Sequence, residues 1–230
     1  MIRLQGAGFS GRAFVARGDN YPDALAASPL AAAWRAPIIL ARPGTVAPAL
    51  PSQVTRVTIL GQADVVSAGI ESTLKTQLGA SNVSRLGGAT RYETAAMIAG
   101  AGVTGGLSWN GVGITTGENF PDALGGSALA GAVGGPLLLV RATAIPEVTR
   151  AEIRRLGANM VYVLGGSGAI EDVVVAELRA MLGNDNVKQL EGPTRYETAA
   201  KVAEEVIGHE GFDGLAFIAR GDNYPDALAA

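Results

Sequence analysis

The chain has 230 residues, 48% of them hydrophobic and only 5% aromatic, with 32 glycines and a net charge of −3. That composition fits a tightly packed α/β protein and excludes a disordered or fibrous one, and an acidic balance without a clustered cationic stripe argues against nucleic acid as partner. With no cysteine there is neither a disulfide nor thiol chemistry.

Residues Gly8–Ala27, GFSGRAFVARGDNYPDALAA, return almost unchanged as GFDGLAFIARGDNYPDALAA at Gly211–Ala230, with a looser copy, VGITTGENFPDALGGSALAG, between them. The chain is a repeat array with a period of about 100 residues. It divides into a first unit at 8–100, a second at 101–207 and the start of a third at 208–230, expected to be truncated.

In the first unit a strand leads into the loop Gly18-Asp19-Asn20-Tyr21-Pro22-Asp23, which opens a helix. Pro22 suits the first helical position, where its missing N–H costs nothing, and Asp23 places negative charge at the positive end of the helix dipole, worth about 0.3–1 kcal/mol. Asp122 and Asp226 hold the same place in the other copies. A strand at Pro37–Leu40 follows. Next the first unit has ALPSQVTRVTIL where the second has the longer AIPEVTRAEIRRLGANMVYVL. The loop glycines Gly18 and Gly117 are 99 apart, whereas Gly61 and Gly165 are 104 apart, so one helix of the first unit should be cut short or replaced by loop. Val66, Ile70, Leu74 and Leu78, four apart, form a helix face directed at the core. The unit ends in a helix opened by Thr90-Arg91-Tyr92-Glu93, a capping box in which Thr90 caps the start and Glu93 reaches back.

In the second unit the spacing predicts strands at Gly111–Thr115, Pro136–Val140, Met160–Leu164 and Val187–Leu190. Helices are predicted over Pro121–Val133, Ile145–Leu156, Ile170–Leu182 and Arg195–Ile207, the last with its own capping box at Thr194 and Glu197. A strand at Leu215–Ala219 would open the third unit. The runs VYVL and PLLLV are continuously apolar, as strands buried on both faces are, and alternation with long helices implies right-handed βαβ crossovers in a parallel sheet. The expected fold is therefore α/β, a tandem of small doubly wound, Rossmann-like or flavodoxin-like modules. The uncharged stretch Ala123–Val140 is long enough to raise a membrane span, but its glycines, Pro136 and the Arg35 of its repeat partner argue against one.

In open α/β sheets ligands bind at the carboxyl ends of the strands, which makes Asp19, Asn20, Glu118 and Asn119 candidate contacts that capping does not explain. A phosphate-cradling loop should be free of carboxylates, so a nucleotide-binding Rossmann protein is disfavoured. Gly165-Gly166-Ser167-Gly168 lacks the dinucleotide spacing. His209 is the one histidine and has no repeat counterpart; no catalytic triad, Cys-His pair or metal-spaced cluster is legible, so neither an enzyme site, a metal nor a cofactor is expected. Arg91 and Arg195 are unexplained by the capping boxes, and either an ion pair within or between modules or bidentate capture of an anionic ligand would account for them.

The ordered set G-x-N-(Y/F)-P-D-A-L, P-(I/L)-(I/L)-L, V-x-(I/V)-L-G and T-R-Y-E-T-A-A, over Gly8–Ala230, resembles the cell wall-binding repeat 2 family of Gram-positive surface proteins. The resemblance implies Rossmann-like modules packed in threes about a pseudo-threefold axis. It further implies a secreted, non-catalytic device that anchors a protein noncovalently to an anionic secondary wall polymer, polysaccharide or teichoic-acid-like. The family links its Pro-Ile-Leu-Leu strand to attachment, which points here to Pro37, Ile38, Ile39 and Leu40 and to Pro136, Leu137, Leu138 and Leu139. Apolar residues do not grip a polyanion, so the strand would shape a groove while Arg42, Arg141, Arg91 and Arg195 supply charge. Such repeats are often fused to amidases or peptidases, so a wall hydrolase with its catalytic domain outside this chain is the alternative. Without a full third module the triangle is expected to stay open, leaving Arg195–Ala230 exposed for self-association or domain swapping.

Overall fold

A computed structural model describes residues 8–44, 46–106, 109–209, 212, 214–216 and 218–224. Asp226 lies outside the described residues. The first unit runs β1 (Arg12–Arg17), α1 (Pro22–Ala33), β2 (Ile38–Ala41), β3 (Arg56–Leu60), α2 (Ala68–Leu78), β4 (Val83–Leu86) and α3 (Arg91–Thr104). The second runs β5 (Gly111–Thr116), α4 (Pro121–Ala132), β6 (Leu137–Val140), α5 (Glu147–Leu156), β7 (Met160–Leu164), α6 (Asp172–Leu182), β8 (Val187–Leu190) and α7 (Arg195–Ile207). Each unit holds a four-stranded sheet, in the order β2-β1-β3-β4 or β6-β5-β7-β8, and every pairing is parallel. The tandem α/β architecture expected from the spacing is the observed one.

The middle of β1, β6 and most of β7 are buried on both faces, which is why they read as unbroken apolar runs, whereas the edge strands β4 (VSRL) and β8 (VKQL) carry polar residues. Along β1, Ala13 and Val15 face an outer core shared with Val66, Ile70 and Leu74 of the first unit. Phe14 and Ala16 face inward, into a central core that also takes Leu129, Leu137 and Leu164 of the second unit. The two units therefore share one apolar interior at their boundary. Leu182 and Leu78 close the outer helix faces as partly buried members.

Residues 42–55 of the first unit carry no helix where described, whereas the second unit has α5. Ala47, Leu50 and Val54 of that loop pack on the outer core instead, covering apolar surface as a helix would. Helix α1 contains Pro29, whose missing N–H leaves the Leu25 carbonyl without its intrahelical donor. Ser127 of α4 stands in: its hydroxyl lies 3.4 Å from that carbonyl and 2.9 Å from its own Ala123 carbonyl, sharing one proton between them. Gly125 of α4 brings the helix against Val202 and Ala199 of α7, where an added Cβ would stand 3.5 Å from Val202 Cγ1.

The strand expected at Leu215–Ala219 is absent: its described residues join neither sheet. A parallel strand forms only against a neighbour, and the eight paired strands belong to the first two units. The described residues from Gly221 to Tyr224 are tied to their own chain instead. Tyr21, Phe120 and Tyr224, one repeat position in three copies, meet edge to face with ring centroids 5.3–5.8 Å apart. Tyr224 also donates from its hydroxyl to the Asp19 carbonyl at 2.8 Å. These rings form one cluster drawn from all three copies, and α7 is packed on α4 with Val202 buried. The expectation of an exposed remnant from Arg195 onward is corrected to that extent, because the apolar side of α7 has its partner within the chain. No helix among the described residues is long and apolar enough to cross a membrane.

Candidate functional site

Motifs far apart in sequence converge at the boundary between the units. Pro22 and Pro121 open α1 and α4, as expected, with Asp23 and Asp122 in the first turns. These carboxylates are half-buried and do more than complement a dipole. An added Cβ on Gly61, at φ +86°, would stand 2.8 Å from Asp23 Oδ2, and one on Gly165, at φ +110°, would stand 2.7 Å from Asp122 Oδ2. The V-x-(I/V)-L-G glycine thus makes room for the P-D-A-L carboxylate. Burial pushes the Asp23 carboxyl up to about 6 against the attraction of Arg91 and Arg17, with repulsion from Asp64 adding to the rise. Burial likewise raises Asp122, opposed by Arg195 and by a hydrogen bond from Thr198.

Arg91 spans the boundary. It sits at the start of α3 in the first unit and donates from Nη1 to the carbonyl of Gly117, in the loop after β5 of the second. Arg195 repeats this one unit later, donating to Gly221 O at 2.7 Å. Among the described residues neither arginine forms an ion pair by distance, and the hydrogen bonds above go to backbone across the junction. The ion pair expected as one explanation is not found among the described residues; what each arginine makes at the boundary is a hydrogen bond to a carbonyl. Each helix start is capped by its threonine: Thr90 Oγ1 accepts from the Glu93 amide at 3.2 Å, and Thr194 and Glu197 complete a capping box. Glu93 reaches one residue further than expected, accepting from the Ala89 amide at 2.7 Å.

Beside Arg91 lies an open cleft of about 560 Å³ lined by Ala89, Thr90, Arg91, Tyr92, Glu118 and Arg141. It draws on the start of α3, the loop after β5 and the end of β6, so neither unit forms it alone. Its floor is Tyr92, which is 7% exposed. The Arg141 guanidinium lies over that ring, 5.3 Å from its centroid. Burial and the Glu118 charge raise the Tyr92 hydroxyl pKa, which Arg141 and Arg91 oppose. Gly117 admits the ring, since a Cβ there would stand 2.9 Å from Tyr92 Cε1.

The candidate residues thus separate. Arg91, Glu118 and Arg141 are brought together. Asn20 and Asn119 instead turn their side-chain oxygens to the next amide, accepting from Tyr21 N and Phe120 N at 2.9 Å. Asp19 is gripped by Arg17, whose Nε and Nη2 donate at 2.6 and 2.7 Å. Arg42 is exposed at the end of β2, the place Arg141 holds after β6. Leu137, Leu138 and Leu139 are core residues at no more than 1% exposure and Pro136 is buried, so in the second unit this strand presents no apolar side chains to a groove. Pro37, Ile38, Ile39 and Leu40 are half-buried. The difference follows from packing: α3 and α1 lie on β6, and among the described residues no corresponding helix from a following unit lies on β2. Tyr92 was missed as a site residue because the capping box accounted for its neighbours; its recurrence as Tyr196 was the available signal.

A comparison with known families matches the cell wall binding domain 2 (CWB2) description to residues 3–71, 85–175 and 189–230. Among curated proteins, the N-acetylmuramoyl-L-alanine amidase LytC of Bacillus subtilis (strain 168) is 28% identical over 94% of this chain, which covers 42% of LytC. The amidase enhancer of the same organism is 32% identical over 68% of this chain, covering 21% of that protein. Among solved structures, Cwp6 from Clostridium difficile superposes with a TM-score of 0.74 at 25% identity, over 88% of this chain and 33% of Cwp6. Cwp8 from the same organism gives 0.71 at 25% identity, over 87% of this chain and 35% of Cwp8. The chain spans less than half the length of each of these relatives. With the family matched in all three copies of the repeat, the chain belongs to the cell wall binding domain 2 family.

Proposed function

We propose that this chain is a binding device that holds the protein carrying it on the cell wall, noncovalently, through an anionic secondary wall polymer engaged at the junctions between modules. In this reading residues 8–100 and 101–207 are two wall-binding modules and 208–230 opens a third. The observation that carries it is the cleft between the units, where the Arg141 guanidinium lies on the Tyr92 ring without an ion-pair partner among the described residues. A guanidinium held flat on an aromatic face keeps its edge N–H groups directed outward, the geometry that takes a phosphate or carboxylate by two parallel hydrogen bonds. Repetition supports a polymer as ligand, because linked weak sites gain avidity from effective concentration. The half-buried β2, with Arg42 beside it, is the counterpart of the same place at another junction.

Cosedimentation with Gram-positive wall sacculi, before and after acid extraction of secondary polymers, tests this reading. Binding should disappear on extraction and weaken as salt rises, and Arg141→Gln should weaken it. Sedimentation unaffected by extraction would overturn it. A second reading, that the whole protein is a wall hydrolase whose catalytic part lies outside this chain, is favoured by the similarity to LytC. Muramoyl-amide hydrolysis by the full-length product, and its absence from residues 1–230 alone, would distinguish that case.

A further inference from the structure

The three copies of the loop differ in one respect that bears on what the junction cleft recognises. In the first copy Asp19 is held by Arg17 at 2.6 and 2.7 Å, and in the third Asp222 is held by Arg220 with two bonds of 2.6 Å. These acids are neutralised by a bidentate partner two residues away. The second copy reads Thr116-Gly117-Glu118, with a threonine in the place of the arginine. Thr116 is too short to form such a pair, and its hydroxyl accepts instead from the Glu118 amide at 3.2 Å. The Glu118 carboxylate is left with one long contact, accepting from the Ala142 amide at 3.4 Å, and forms no ion pair among the described residues. Arg141 forms none either, and the two do not pair with each other, although both line the same cleft. An anion and a cation thus stand exposed and unpaired in one cleft of about 560 Å³, within the size range of small-ligand sites.

We infer that the junction between the first and second units is the selective site of the array and takes a repeat unit that carries a primary ammonium beside a phosphate or carboxylate, with the ammonium against Glu118 and the anion against Arg141. The inference rests on the wall-polymer reading and narrows it from polyanion to zwitterionic repeat. Asp19 and Asp222, already satisfied by arginine, offer no such demand, so one junction sets the choice and the others add avidity.

Equilibrium binding to poly(glycerol phosphate) bearing aminoacyl esters, compared with the same polymer after mild alkali has removed the esters, tests the inference. The phosphate backbone is common to both probes. The unaltered chain should bind the aminoacylated polymer about two- to fivefold more tightly, the worth of one partly exposed ion pair. Glu118→Gln, an exposed and conservative change, should abolish that preference, and Arg141→Gln should weaken binding of both probes. Equal affinity for the two probes would overturn the inference and leave the anchoring reading standing, as would a preference unchanged in Glu118→Gln. Binding of neither probe by a chain that still sediments with sacculi would overturn the ligand class, whereas loss of sedimentation as well would overturn the anchoring reading itself.

Discussion

Replacing Arg91 by Met keeps most of the side-chain stem that packs beside Gly117 and removes the charge and the donors. The lost interaction is a charge-assisted hydrogen bond to the carbonyl of Gly117, a buried residue. Such a bond contributes about 1.5–3 kcal/mol, and its removal leaves the acceptor without a partner. A second contribution depends on pH. Arg91 attracts the Asp23 carboxylate, which titrates near 6 in the folded chain, so this attraction operates at pH 7.5 and is largely gone at pH 5. Urea unfolding followed by circular dichroism should show a loss of about 2–4 kcal/mol at pH 7.5 and roughly 1 kcal/mol less at pH 5, with an unchanged m-value. Arg91→Lys, which keeps the charge, should remove that pH difference. Arg195→Met should cost less than Arg91→Met, because the Gly221 segment it holds is the more exposed. A loss below about 0.5 kcal/mol in Arg91→Met, the range of ordinary surface substitutions, would refute the view that this arginine joins the units.

Asp23 binds its proton more tightly when folded, near 6, than its ordinary 3.8, so its contribution favours the fold below about pH 4 and is lost as pH rises towards 6. Asp23→Asn should therefore flatten the stability profile across that window, by roughly 1–3 kcal/mol after allowance for partial exposure, as read from denaturant midpoints at stepped pH. Gly126→Ala should destabilise by about 1–3 kcal/mol despite its gain in helix propensity, since the new Cβ would stand 2.1 Å from Leu164 Cδ1 in the core. Gly100→Ala should instead stabilise by about 0.5–1 kcal/mol, its nearest neighbour being the end of Arg155 at 3.6 Å; thermal melts of the pair should move in opposite directions. Tyr224→Ala should cost about 1–3 kcal/mol from two edge-to-face contacts and one hydrogen bond, and Tyr224→Phe should recover all but the hydrogen-bond part, with Phe120→Ala closing a double-mutant cycle.

Much of the fold was legible because the repeat supplies its own controls. The change of offset from 99 to 104 located the loop that stands in for a helix, and continuous apolar runs marked strands buried on both faces. What single-chain periodicity does not encode is which copies touch. Arg91 could be seen as surplus to its capping box, but the carbonyl it meets belongs to the next unit. The capping argument correctly placed Asp23 and Asp122, yet missed that their carboxylates lie against Gly61 and Gly165, whose positive φ and close neighbours already call for glycine. The strand at Leu215–Ala219 had the right residues and lacked a neighbour, which pattern alone does not reveal. Arg17 and Arg220 were passed over, although an Arg-Gly-Asp spacing in two copies against Thr-Gly-Glu in the other was the visible sign of a clamp. The apolar strand at Leu137–Leu139 was assigned to a groove through resemblance, whereas its complete burial makes it a support for the arginine that follows it.

The ring cluster of Tyr21, Phe120 and Tyr224 makes this array count. In an open solenoid a unit feels only the units before and after it, so copies can be gained or lost one at a time with little change to the rest. Here one position from each of three copies meets at a common point, and every ring has both others as neighbours. Deleting a unit would leave two aromatic rings facing a hole, and adding a fourth would give a ring with no place in the cluster. Duplication in such a lineage is expected to proceed by threes, and drift at this position is constrained by two partners at once.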